Sequence, residues 1–131
     1  MPFVNVKVAG VELEKAQTAK IQEGITSLMA EILNKKASLT AVLVEQAAIA
    51  GWTIGAEPVP SAAQVDAIVS TGTNTPEEKA RFIAEASRLL HEVLGPDLPE
   101  VTYVVVHEVP QDSWGYGGLT QEHRAKARAA A

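Results

Sequence analysis

From Phe3 to Val8 apolar and polar side chains alternate before Ala9-Gly10, which predicts a half-buried strand closed by a turn. The period then changes. Between about Glu12 and Lys35 the apolar residues Ile21, Ile25, Leu28, Met29, Ile32 and Leu33 recur at helical spacing, and Lys35-Lys36 stand where cations favour a helix C-terminus. Leu39 to Val44 is a short β-branched and aliphatic run, a second strand. Strand, crossover helix and strand in this order predict a right-handed βαβ unit with its two strands parallel.

The second half of the chain repeats the first. Ala62 to Val69 reads as a strand and Gly72-Thr73-Asn74 as a turn. Thr75-Pro76-Glu77-Glu78 is a capping box with proline at the first helical position. The helix it opens carries an apolar stripe of Phe82, Ile83, Leu89, Leu90 and Leu94, and Gly95-Pro96 stops it. Val101 to Val106 supplies a fourth strand. Each unit closes on a glycine-rich segment, Gly51-Trp52-Thr53-Ile54-Gly55-Ala56 in the first and Ser113-Trp114-Gly115-Tyr116-Gly117-Gly118 in the second. Both place a tryptophan, then an apolar residue two positions on, then glycine, as expected of short hairpins. The units divide the chain at 1–59 and 60–118, with a solvated helical tail at 119–131.

Two such units predict a four-stranded sheet with both helices on one face. The other face is left uncovered, and repeats of this kind usually signal units that cannot bury their apolar surface alone. A symmetric oligomer packing sheet faces around an axis is the expected solution.

Composition refines this picture mainly by exclusion. With 131 residues the chain can bury one core and not two independent ones. Its 47% apolar and 21% charged residues describe a globular interior built from Ala, Val and Leu. The absence of cysteine removes disulfides, thiol catalysis and thiolate metal sites. A net charge of −5 argues against a nucleic-acid surface. No apolar run is long enough to span a bilayer and no leader precedes Pro2, so a cytoplasmic protein without membrane partners is expected. His91, His107 and His123 lack ligand spacing, so neither a metal nor another cofactor is expected.

Pro2 is the residue with distinctive chemistry. Once Met1 is removed, the chain begins with a secondary amine fixed at the edge of a sheet. An N-terminal amine titrates near ~7.7–8.0, and burial among apolar groups disfavours its charged form, so it suits proton transfer near neutrality. The other prolines are internal and have no free amine.

Met1-Pro2, a βαβ unit spanning half the chain, and the closing Ser113–Gly118 segment together resemble the tautomerase superfamily. The doubled arrangement is similar to its fused, two-unit members, whose short relatives such as 4-oxalocrotonate tautomerase use single βαβ units. The resemblance covers the chain up to Gly118. It implies an α/β (α+β) fold of two tandem βαβ units in a homotrimer, with Pro2 as general base and acid in keto–enol tautomerisation. It also implies a small 2-keto acid or enol as substrate, its carboxylate held by cationic side chains.

Carried over position by position, the aromatic wall of the closing hairpin falls on Trp52 in the first unit and Trp114 in the second. The arginine expected after the first strand falls near Glu12. The arginine expected in the second strand falls on Leu43 in the first unit and Tyr103 in the second. Pro60-Ser61 stands where a second terminal proline would fall, so each chain carries one catalytic amine at most. By strand alternation Tyr103 shares a face with Val101, Val105 and His107, where its hydroxyl is a candidate donor to an enolate or carboxylate. Lys7 is a candidate carboxylate anchor in place of a lost arginine. Arg81 and Arg88 read as a solvated helix stripe, and Arg124 reaches a site only if the tail packs.

These readings predict a tautomerase or isomerase. Two alternatives stand beside it. One is dehalogenase- or decarboxylase-like lyase or hydrolase chemistry on the same scaffold, for which Glu108 and Asp112 are the available acidic groups. The other is a non-catalytic oligomeric binding module.

Overall fold

A computed structural model describes residues 2–130; Met1, whose removal the acid–base reading requires, lies outside the described residues. The elements follow one another as β1 (Phe3–Ala9), α1 (Lys15–Glu31), β2 (Ala41–Ala47), the hairpin β3 (Thr53–Ile54) and β4 (Glu57–Pro58), then β5 (Ala62–Ser70) and α2 (Pro76–Leu94). The chain continues through β6 (Tyr103–Val109), the hairpin β7 (Gly115–Tyr116) and β8 (Leu119–Thr120), and α3 (Gln121–Ala130). The chain is two βαβ units in tandem, as the duplicated pattern predicts.

The main sheet has the order β2-β1-β5-β6. Within each unit the strands are parallel, β1 with β2 and β5 with β6, while β1 and β5 meet antiparallel through the pairs Phe3↔Ile68, Val6↔Val65 and Ala9↔Ala62. This central pairing turns the second unit end for end against the first. Val4, Val6 and Val8 on β1 and Val65, Ala67 and Val69 on β5 point to one face, where they form a single core with Ile21, Ile25 and Met29 of α1 and Phe82, Ala86, Leu90 and Leu94 of α2. The helices pack closely because Gly24 lacks a side chain: a Cβ there would lie 2.6 Å from Leu89 Cδ2.

Several boundaries differ from those predicted, each for a local reason. α1 ends at Glu31, because Asn34 adopts a left-handed φ of 59° and Lys35 N–H closes onto the Met29 carbonyl at 3.0 Å. Lys35 and Lys36 are thereby moved off the helix. Ala37–Leu39 forms a 3₁₀ turn, so β2 begins at Ala41 and runs to Ala47. The fourth strand starts at Tyr103, behind a turn in which Thr102 Oγ1 donates to the Pro99 carbonyl at 2.7 Å, and it continues to Val109 against Ser70. On α2 the buried stripe is Phe82, Ala86, Leu90 and Leu94, while Ile83 is exposed.

The capping box of α2 forms as its sequence demands. Thr75 Oγ1 accepts from Glu78 N–H at 3.1 Å, and the Glu78 carboxylate accepts from Thr75 N–H at 2.8 Å. These bonds, with those from Asn74 and Asn34, hold the Glu78 carboxyl below its usual range. Thr75→Ala removes one of the paired caps and is expected to cost about 1 kcal/mol, lowering the thermal unfolding midpoint by roughly 3–5 °C in calorimetry.

The opposite face of the sheet carries no covering element among the described residues. It presents Phe3, Asn5 and Lys7 on β1, Leu43 and Glu45 on β2, Gln64, Asp66 and Ile68 on β5, and Tyr103, Val105 and His107 on β6. Phe3 is 41%, Leu43 45% and Tyr103 69% exposed, high values for large apolar groups sharing one sheet face. Asp66 ties the polar part of this face together, accepting from Gln64 Nε2 at 2.9 Å and lying 2.7 Å from His107 Nε2.

Candidate active site

Pro2 is buried at the head of β1, where its carbonyl accepts from Ala41 N–H at 3.1 Å. One step beyond the Phe3↔Ile68 pair, it sits beside Val69 and next to Ser70. The end of the sheet that it occupies is therefore shared with the start of β2, the end of β5, the segment after α1 and the beginning of α2.

A cavity of about 760 Å³ opens at this end. Leu39, two residues before the hydrogen-bond partner of Pro2, and Ser70 both line it, so Pro2 stands beside the cavity without forming its wall among the described residues. The wall is electrostatically one-sided. Lys35, Lys36, Arg124 and Arg128 line it together with His123, and no Asp or Glu does so among the described residues. In a chain of net charge −5 this is a local inversion of sign.

Lys35 is half-buried and donates to Thr73 Oγ1 at 2.8 Å, and Thr73 Oγ1 in turn donates to the Ser70 carbonyl at 2.7 Å. Burial pushes the Lys35 ammonium below its usual range, against the opposing pull of Glu78 and Glu108. Glu108 is itself committed. Lys79 Nζ binds its carboxylate at 2.8 Å and holds it below the ordinary carboxylate range.

The far wall comes from the C-terminal helix. Three contacts fix the start of α3: Gln121 N–H to the Trp114 carbonyl at 2.9 Å, Glu122 N–H to the Gln111 carbonyl at 3.0 Å, and His123 N–H to Thr120 Oγ1 at 3.0 Å. They satisfy backbone donors that every helix start leaves unpaired. Gln121 is buried, and Arg124 lies over the Tyr116 ring at 3.8 Å from its centroid. The tail is thus helical as predicted, but one side of it is packed.

The two tryptophans separate. Each closing hairpin leaves the C-terminal end of its unit's outer strand, and the antiparallel β1–β5 pairing points those ends in opposite directions. Trp114 Nε1 donates to Ser70 Oγ at 3.2 Å, at the Pro2 end, and Trp114 lines a smaller cavity of about 350 Å³ with Asp112 and Ser113. Trp52 is half-buried at the opposite end, about 20 Å away along a seven-residue strand. Tyr103 and Lys7 lie on either side of Gln64, two strands apart, in the half of the open face remote from Pro2. Within one chain, the structure brings Trp114 to the same end of the sheet as Pro2 and leaves Trp52, Tyr103 and Lys7 elsewhere.

The residues that sequence reasoning missed as a group are Lys35, Lys36, Arg124 and Arg128. Their signal was visible as a lysine pair after a helix and a basic tail. Nothing in local spacing joins the two, because the join is made by α3 folding back.

The chain matches the protein family described as Tautomerase enzyme over residues 2–61 and again over 63–124. Probable tautomerase K2 of Dickeya dadantii (strain 3937) is 30% identical over 59 residues, which is 45% of this chain and 88% of that relative. Among solved structures, the F6 fused 4-OT wild type asymmetric trimer superposes with a TM-score of 0.81 at 21% identity, covering 93% of this chain and 98% of that one. The crystal structure of Pt0534 inactivated by 2-oxo-3-pentynoate gives a TM-score of 0.81 at 15% identity, covering 92% and 98%. At such identities the structural likeness establishes a common fold.

Proposed function

Because the chain belongs to the tautomerase family, we propose that it catalyses cofactor-independent keto–enol proton transfer on a small 2-keto acid or enol, with the amine of Pro2 as the acid–base group. The observation that carries this reading is the position of Pro2, buried at an end of the sheet where a cation-lined cavity opens. In the proposed reaction the neutral Pro2 nitrogen takes a proton from the carbon next to the carbonyl. The C–H electron pair moves into an enolate, and the prolinium returns the proton to another atom of the same substrate. No atom is gained or lost. The first step requires the neutral amine, which exists only once Met1 is removed. Lysine or arginine from the cavity wall stabilises the charge that develops on oxygen.

The scaffold we propose is a homotrimer closed through the open sheet face. Its support is the exposed apolar set on that face and the trimers named among the fold neighbours. Of the two acidic groups available to lyase or hydrolase chemistry, Glu108 is held by Lys79, which leaves Asp112, beside Trp114, as the water activator that reading would need.

A halopyruvate tests the assignment. Attack by the free Pro2 nitrogen on the halogen-bearing carbon forms an N–C bond and expels halide. Intact mass is expected to show a chain lacking Met1 with one adduct, which peptide mapping places on Pro2. A processed chain that stays unlabelled, or is labelled only elsewhere, overturns the reading and favours a non-catalytic binding module.

A further inference from the structure

We propose that Arg124 and Arg128 of α3, facing Lys35 and Lys36, form the carboxylate-binding part of the active site, which makes the C-terminal helix a substrate-binding element and Arg124 its specificity-determining residue. The inference deepens the acid–base reading of Pro2 and rests on it for the identity of the reacting substrate.

Four observations support it. First, Arg124, Ala127 and Arg128 fall at i, i+3 and i+4 on one helix face, and all three line the cavity. Second, Arg124 is held in a defined pose. Its guanidinium stacks on Tyr116, and its Nη2 donates to the Tyr116 carbonyl at 3.0 Å. Gly117 makes room for this pose, since a Cβ there would lie 2.8 Å from Nη2. Third, the Arg124 Nε–H finds no acceptor among the described residues, so the guanidinium's donors are not used up within the chain. Fourth, no carboxylate lines the wall itself among the described residues, although Glu78 and Glu108 lie close enough to act on the charge of Lys35. The family match ends at residue 124, so the last six residues of α3, with Arg128, lie outside it.

The lysines and arginines play different parts. Lys35 is anchored to Thr73 and is a point charge, whereas arginine offers a planar fork suited to a carboxylate. The arginines expected near Glu12 and in the second strand are absent from those places, and the α3 pair provides the same chemistry from another direction.

The test compares phenylenolpyruvate with its methyl ester, which lacks the negative charge. In Arg124→Ala, KM for the acid is expected to rise between about tenfold and a hundredfold while kcat changes little, the scale of one lost charge-assisted hydrogen bond. The ester is expected to lose far less, so discrimination between acid and ester collapses. Gly117→Ala, which pushes Arg124 out of place, is expected to move KM in the same direction by less. Arg88→Ala, at an exposed position of α2, serves as the control. Equal losses for acid and ester, or none for either, overturn the proposal.

Binding separates this outcome from failure of the Pro2 assignment. With 3-phenylpropanoate as an unreactive carboxylate probe in calorimetry, Pro2→Ala is expected to bind as the parent does and Arg124→Ala at least about tenfold more weakly. Inorganic phosphate is titrated in parallel. Tighter binding of phosphate than of the carboxylate contradicts a carboxylate site, as does a probe affinity indifferent to Arg124.

Discussion

Pro2→Ala is expected to lower kcat/KM for ketonisation of phenylenolpyruvate by about 10²–10⁴, the range contributed by a positioned acid–base group. Alanine retains an N-terminal amine, so the loss reports more than the presence of a nitrogen. The pyrrolidine ring fixes φ and holds its nitrogen in one direction at the head of β1, whereas an alanine amine rotates freely. A second variant removes the base altogether. A residue left in front of Pro2 turns the nitrogen into an amide, which has no basic lone pair, and activity is expected to fall to the level of the uncatalysed reaction. Stopped-flow or steady-state loss of enol absorbance measures both. A Pro2→Ala protein as fast as the parent, or a fully active chain with an acylated Pro2, would remove proline from the mechanism.

The second large effect concerns assembly. Leu43→Asp is expected to convert a trimer into a monomer in size-exclusion chromatography with light scattering. Leu43 is 45% exposed on the open sheet face, in register with Asn5 and close to Phe3, so the isolated chain tolerates a carboxylate there. Within an interface the same carboxylate is buried without a partner, at a cost of several kcal/mol. The cost recurs in every copy around a closed ring. The circular dichroism of the monomer is expected to match that of the parent, because α1, α2 and the core-facing valines are untouched. A parent protein that is monomeric at micromolar concentration, or a variant that remains trimeric, contradicts the assembly. Activity that falls on dissociation would point to a site completed across the seam, with Trp52, Tyr103 and Lys7 the residues to test there.

Much of this protein is legible in its sequence for physical reasons. Alternation from Phe3 to Val8 reports a strand with one buried face, and Val4, Val6 and Val8 are indeed fully buried. Thr75-Pro76-Glu77-Glu78 forms its capping box because both partners lie within three residues of each other. The repeat, the two hairpins and the chemistry of a proline behind Met1 need no knowledge of distant contacts. The boundary errors are also local in origin. Asn34 can enter the left-handed region, which ends α1 early, and apolar periodicity alone does not register that departure.

The sequence by itself determined two βαβ units, the amine that Pro2 would present once Met1 is removed and a sheet face that the chain's own helices leave uncovered, because each follows from period, caps and residue type along a short stretch. Only the tertiary structure decided what surrounds that amine. The antiparallel pairing of β1 with β5 sends Trp114 to the Pro2 end and Trp52 to the other. The return of α3 onto Tyr116 sets Arg124 and Arg128 opposite Lys35 and Lys36. Both outcomes depend on contacts between segments tens of residues apart, whose energies come from packing and charge in three dimensions and leave no periodic trace along the chain.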